Sequence, residues 1–361
     1  MGLRIAVEWR ERKRWRATTS RHHDDVRVYY GYESLPTSQE IASGGVVKTQ
    51  DLQTRFPNIP GNPNLLYLIS SALPPYALRI AQRAQAAGAR VVLNQNGVAY
   101  PGWDSGNWET TNRFMREVLQ QADYVIYQSR FCKLGADRFL SKRDLNCEIL
   151  YNPVNTEYFR PGKPRSPADP WRLLLAGSHH HFYRVQTAVN TAKFLRDAGV
   201  DVRLEIAGRY CWMDKSSNAD LQLRDYIRDI GIEKAVTLSG PYTQHDAASL
   251  LNRSDILLHT KYNDPCPRLV VEALASGLPI VYSASGGTPE LVGDLAGVGI
   301  EAPLDWEHDH PPLPSHLADA VIGLIPNYDA FSQEARRRAI ELFDRTPWIN
   351  RHEHVFRELL T

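Results

Sequence analysis

Short apolar runs rich in branched residues alternate along this chain with longer segments of helical period, and one proline-rich stretch interrupts the rhythm. The alternation constrains the fold strongly, because strand, helix and next strand return to one sheet in parallel order. LRIAVEW near the start, NLLYLISS (64–71) and RVVLNQNG (90–97) read as strands, with the helical PPYALRIAQRAQAAGA between the last two. NWETTNRFMREVLQQA, DYVIYQS, RFCKLGADRFL and CEILYNP continue as helix, strand, helix and strand. The interruption, RPGKPRSPADP at 160–170, holds four prolines and a glycine with almost no apolar content, so it reads as a linker.

Beyond it the rhythm restarts with WRLLLAGS, RVQTAVNTAKFLRDAG, VDVRLEIAG and NADLQLRDYIRDIG, then AVTLSG, TQHDAASLLNRS, DILLHT, PRLVVEALASG, LPIVYSAS and TPELVGDL. The expected fold class is α/β, with two Rossmann-like domains whose parallel sheets face a central cleft. The expected domains are a first Rossmann-like domain over 1–160 and a second over 161–340. A C-terminal helix over 341–361 is expected to pack back on the first domain, and Thr346 and Pro347 should kink or split the helical tail.

Length agrees with two domains, since 361 residues exceed one ordinary domain and 43% hydrophobic with 23% charged is globular composition. The formal charge of +1 gives no sign of a nucleic-acid partner. Cys132, Cys147, Cys211 and Cys266 form no CxxC pair, which argues against a disulfide framework or a zinc knuckle and for a reducing cytoplasm. Neither a signal peptide nor a membrane span is read. WRERKRWR at 9–16, with Trp9 and Trp15 among arginines, reads as a solvated loop. Its alternative is peripheral contact with an anionic membrane surface at the inner face.

Ligands of parallel sheets bind outside the carboxyl ends of strands, so unusual loops after strands carry the functional reading. SGGVVKTQ (43–50) has paired glycines before a helical run. GSHHHFYR (177–184) has three adjacent histidines, which suggest either a metal or a polar loop at the cleft mouth. One ion cannot easily take three neighbouring side chains, and no acid or cysteine stands at ligand spacing, so no metal is expected. In GGTPELV (286–292), Gly286 and Gly287 precede Thr288 as N-cap, Pro289 at the first helical position and Glu290 in the first turn. In DPCPRLVVE (264–272), two prolines set the helix start at about Pro267. Asp264 then lies in the loop and Glu272 about one and a half turns into the helix, pointing back. Such acids could be an acid–base pair, metal ligands, or acceptors for ligand hydroxyls.

The co-linear set resembles the retaining glycosyltransferases of family 4, glycosyl transferases group 1, with the GT-B fold. DPCPRLVVEALASGLPIVYSASGGTPE is similar to that family's acid, seven residues, acid pattern with its following Gly-x-Pro step and Gly-Gly-x-Pro-Glu turn. YNPVNTEYFRP and QADYVIYQSRF add matching stretches. The resemblance implies transfer of a sugar from a nucleoside diphosphate sugar, UDP- or GDP-linked, to a glycan, lipid-linked or small-molecule acceptor. It also implies retention at the anomeric carbon, no cofactor and no essential metal. By the same carry-over Glu272 would bond the donor's ribose, and Asp264 would lie at the donor sugar. Gly286, Gly287 and Thr288 would offer backbone amides to the diphosphate, with Gly45 approaching it from the first domain and Gly177, Ser178, Arg268, Leu269 and Glu290 completing the donor set.

Three departures stand out. The family's Arg and Lys after the first strand of the second domain fall here on Ser178 and Tyr183, leaving Arg184, Arg268 or Lys48 as candidate cations. The loop that often carries a histidine near the reacting sugar has Asn96, which cannot act as a base but can hydrogen-bond a sugar hydroxyl. Pro265 and Pro267 replace glycines between the two acids. The alternative function is a non-catalytic GT-B protein that binds a nucleotide sugar or a partner. A nicotinamide-dependent oxidoreductase is disfavoured, because no GxGxxG follows the first strand of either domain.

Overall fold

The computed structural model describes residues 10–15, 25–37, 40, 44–104 and 106–361. The strand read in LRIAVEW lies outside the described residues. The chain forms two compact units, one of residues 1–153 together with 345–361, the other of residues 154–344. The proline-rich stretch 160–170 lies inside the second unit, without helix or strand, and the Arg165 guanidinium stacks 4.0 Å from the Trp171 ring centre.

The first unit holds a five-stranded sheet, β1 (Val28–Tyr29), β2 (Leu65–Ile69), β3 (Arg90–Gln95), β4 (Tyr124–Tyr127) and β5 (Cys147–Ile149), in that spatial order. Every pairing is parallel. Strand β2 is buried along its whole length, as a strand covered on both faces must be. Its side chains divide by alternation: Leu66 and Leu68 join Val91 and Leu93 in one core layer, while Leu65, Tyr67 and Ile69 join Val92 in the other. The helix Arg345–Leu360 closes the second layer with Trp348, Val355 and Phe356, and His352 Nε2 lies 3.1 Å from the Tyr67 hydroxyl.

The described part of the arginine- and tryptophan-rich stretch is a short helix rather than a loop, with Arg10, Arg12 and Lys13 exposed. Residues 10–14 are helical, and Trp15 is 4% exposed with its indole donating to Glu11 at 3.0 Å and its ring edge-on to Tyr29. Arg14 is buried over the same Tyr29 ring and pairs with Glu11 and Glu33, so acids already present absorb its charge. Trp9 lies outside the described residues.

The second unit holds six parallel strands, β6 (Trp171–His179), β7 (Val202–Tyr210), β8 (Val236–Gly240), β9 (Ile256–His259), β10 (Ile280–Ala284) and β11 (Gly297–Glu301). Their spatial order is β11-β10-β9-β6-β7-β8. The chain enters at a central strand, walks outward through β7 and β8, then returns to the other side of β6 and walks outward again. Direction reverses between β6 and β9, and at such a switch the following helices diverge and open a crevice at the carboxyl ends. The helical tail divides at Asp344, between Tyr328–Phe343 and Arg345–Leu360. The expected break at Thr346 and Pro347 is displaced because Pro347 falls in the first helical turn, where a missing N–H costs no hydrogen bond.

Candidate functional site

The switch point gathers the loops that follow β6, β9 and β10. At the end of β6, Gly177 has φ +112°, and the neighbouring strand comes so close that a Cβ on Gly208 would lie 1.8 Å from the Gly177 carbonyl oxygen. His179 is the last residue of β6 and is fully buried, with Nε2 3.1 Å from the Ala207 carbonyl. That carbonyl only accepts, so Nε2 carries the proton and Nδ1 is left with no hydrogen-bond partner. Burial, reinforced by Arg184, pushes the His179 imidazolium down to about 3, which keeps the ring neutral. The three histidines are therefore not one polar loop: His179 belongs to the core, His180 is exposed, and His181 precedes the helix Phe182–Asp197 and stacks on Tyr183.

The loop between β9 and the helix Arg268–Ala275 is sewn to both neighbours. Thr260 Oγ1 donates to the Arg184 carbonyl at 2.9 Å, and the Tyr262 N–H donates to the Tyr183 hydroxyl at 3.1 Å. The Asn263 N–H donates to Ser285 Oγ at 2.8 Å, and the Gly287 N–H donates to the Asp264 carbonyl at 2.8 Å. Gly286 sits at φ +67°, where a Cβ would meet that same carbonyl at 2.4 Å, so both backbone angle and space require glycine. Gly287, expected to offer its amide to a diphosphate, instead uses it to join the two loops. Thr288 is fully buried, and its helix, Thr288–Val292, is only five residues long, so few peptide dipoles align at its start. The Glu290 and Leu291 carbonyls accept from Arg338 at 2.8 and 2.6 Å, which ties that helix to Tyr328–Phe343.

Helix Arg268–Ala275 begins directly after Pro267, as the proline positions require. Glu272 is 6% exposed and accepts from Arg268 Nε at 2.9 Å, one turn earlier, while Leu269 is half-buried. Asp264 Oδ2 lies 3.2 Å from Lys261 Nζ and 3.4 Å from His259 Nε2. Burial alone would push the Asp264 carboxyl up, but Lys261, His259 and Arg184 together hold it below the usual carboxylate range. The two acids are thus not a pair lacking cations, since each has its own partner.

Arg184, expected to face a diphosphate, is 4% exposed. It donates through Nη1 to the Ser178 carbonyl while its charge acts on Asp264, and its Nε has no hydrogen-bond partner. It follows His181 in the first turn of its helix, so its long side chain folds back along the end of β6 rather than outward. The cations nearer the surface are two that the sequence reading missed. Lys261 stands between β9 and Asp264, and Arg209 on β7 donates through Nη2 to Ser178 Oγ at 3.0 Å. The available signal was a lysine three residues before the acid. Neither falls after the domain's first strand, where cations were sought.

In the first unit, Asn96 lies just past β3. Its Oδ1 accepts from Lys48 Nζ at 2.8 Å and from Gln128, and its Nδ2 donates to Ser71. Lys48 is buried and also bonds Asn94, so it serves this amide network. Gly45 is the second residue of helix Gly44–Gln53, where a Cβ would lie 2.4 Å from Ser71 Oγ; its small size lets that helix approach the residues after β2. Among the described residues no group of three or more His, Cys, Asp or Glu could hold a metal ion, and no helix is long and apolar enough to cross a membrane. Cys132, Cys147, Cys211 and Cys266 form no disulfide with one another.

Comparison with known proteins adds three findings. Residues 159–337 match the family model of glycosyl transferases group 1. The chain is 34% identical over 88 residues to D-inositol 3-phosphate glycosyltransferase of Corynebacterium kroppenstedtii, which covers 24% of this chain and 20% of that protein. It is 29% identical over 182 residues to the protein of the same name from Mycobacterium leprae, covering 49% and 40%. The chain therefore spans half or less of the length of these curated relatives. Among solved structures, Anabaena Alr3699/HepE in complex with UDP and glucose superposes with a TM-score of 0.65 at 17% identity, covering 89% of this chain and 84% of that one. The fold is GT-B, and the second unit carries the sequence pattern of glycosyl transferases group 1.

Proposed function

We propose that this protein is a retaining, metal-independent glycosyltransferase that moves a sugar from a nucleoside diphosphate sugar, UDP- or GDP-linked, to an acceptor hydroxyl. The acceptor class is a glycan, a lipid-linked sugar or a small-molecule glycoside. The observation that carries the reading is the convergence, at the sheet's switch point, of two differently partnered carboxylates with the cations Lys261, Arg184, Arg209 and Arg268. Glu272 is a carboxylate held by Arg268 Nε at 2.9 Å, an acceptor group of the kind that suits the paired hydroxyls of a ribose. Asp264 stays ionised and is fixed by Lys261 and His259, which suits a sugar hydroxyl and not a group that must exchange protons near neutral pH. The likeness to Anabaena Alr3699/HepE, solved in complex with UDP and glucose, supports the donor class.

A thermal-shift screen of UDP-, GDP- and ADP-sugars, followed by mass spectrometry of products and NMR of the new anomeric centre, tests this reading. One donor should raise the melting temperature and be consumed with retention, and added EDTA should leave the rate unchanged. A donor that binds without transfer or hydrolysis would favour a nucleotide-sugar-binding protein instead. Absence of any donor effect would remove the proposal.

A further inference from the structure

We infer that Lys261 and Arg209 form the cation pair that receives the donor's diphosphate, an inference that rests on the donor reading above. The two stand on strands flanking the central strand. Lys261 lies two residues past the end of β9, and Arg209 is the next-to-last residue of β7, in register with Ser178 of β6. Lys261 is held by Asp264 at 3.2 Å with its side chain 19% exposed, while Arg209 is exposed and anchored on Ser178 Oγ. His180, the residue directly beyond β6, feels both charges, as well as that of Arg184. The Lys261 charge also reaches His181, His259 and Asp309.

Cations and acids meet at this point. Lys261, Arg209 and Arg184 oppose Asp264 and Asp309, and burial pushes His179, His180, His181 and His259 down toward the neutral form. Cations at the carboxyl ends of the strands fit an anion better than a neutral sugar. Arg184 is not the group presented to that anion: it is 4% exposed and engaged with the Ser178 carbonyl. Its part is positioning, since its charge helps keep Asp264 ionised and Asp264 in turn fixes the Lys261 ammonium. Four buried polar atoms on these loops and strand ends, His179 Nδ1, Arg184 Nε, His259 Nε2 and Thr288 Oγ1, have no hydrogen-bond partner, as expected where a polar ligand or its waters complete the site.

In the transfer step the bond between the anomeric carbon and the β-phosphate oxygen breaks, and its electron pair stays on that oxygen. The anomeric carbon bonds to the acceptor oxygen, and the acceptor's proton leaves with the released diphosphate. Lys261 and Arg209 would stabilise the phosphate charge that develops, the term on which such a reaction depends most.

The test compares wild type with Lys261→Met and Arg209→Met by calorimetry, using UDP, GDP and ADP, each beside its monophosphate. For the nucleotide that wild type binds, Lys261→Met should weaken the diphosphate about 10- to 100-fold, the scale of one charge-assisted hydrogen bond. Monophosphate affinity should change less than about threefold, and Lys261→Arg should restore most of the loss. Arg209→Met should act in the same direction, and either Met variant should lower kcat by about 100-fold. Equal losses for mono- and diphosphate would mean that Lys261 only supports Asp264, and would overturn the inference. Unchanged diphosphate affinity would overturn it as well. If wild type binds none of the nucleotides, the donor reading itself fails, which is a separate result.

Discussion

Replacing Asp264 by Asn keeps the side chain's size but removes the charge on which Lys261, His259 and Arg184 converge. At 3.2 Å and an effective dielectric of about 20, the Lys261–Asp264 attraction alone is about 5 kcal/mol. The cost of having buried both ions reduces what a measurement recovers. Breaking a buried pair from one side costs about 3–5 kcal/mol, and the Asn oxygen still accepts from Lys261, so about 3 kcal/mol is expected. For a unit of this size that lowers the melting temperature by about 6–12 °C.

The pH dependence carries the sharper sign. Asp264 is held below its unfolded value of about 3.9, so its stabilisation is fully present above that pH and is lost as pH falls through the folded value. Scanning calorimetry of both proteins from pH 7 to pH 2 should show a gap constant down to about pH 4 that closes in stronger acid. A gap under about 1 kcal/mol at pH 7, or one that persists unchanged to pH 2, would refute the electrostatic account of this loop.

Glu272→Gln should weaken the bound nucleotide about 10- to 100-fold by calorimetry, and unchanged affinity would detach Glu272 from the ribose. Gly286→Ala should cost about 1–3 kcal/mol by denaturant unfolding, because the new Cβ meets the Asp264 carbonyl at 2.4 Å and φ is +67°; a neutral effect would mean the loop shifts freely. Phe356→Ala should cost about 3–5 kcal/mol and act on the unfolding of the first unit, since the ring is fully buried between Phe56 and Tyr67. A cost under 1 kcal/mol would show that the last helix is not part of that core.

What the sequence disclosed depended on how local the cause was. Strand β2 is visible because five consecutive apolar residues admit only a strand covered on both faces, and the start at Pro267 follows from a ring with no N–H. Arg14 and Trp15 misled because the acids that absorb them include Glu33, which meets them only after folding. Lys261 and Arg209 were missed for a similar reason. Their common neighbour β6 is separated from β9 by 76 residues, and only the spatial strand order brings the carboxyl ends of all three together. Arg184 was found as a charge but given the wrong direction, which sequence spacing does not encode.

The discontinuity of the first unit bears on how the chain is made. Residues 1–153 lack the helix Arg345–Leu360, which supplies Trp348, Val355 and Phe356 to their second core layer, until 191 intervening residues have been synthesised. The later unit, continuous in sequence, has all its strands first. On the ribosome the order of completion therefore inverts the order of synthesis, and the earlier-made sheet waits with one apolar face exposed. That interval, rather than the finished molecule, is where aggregation and chaperone dependence should concentrate.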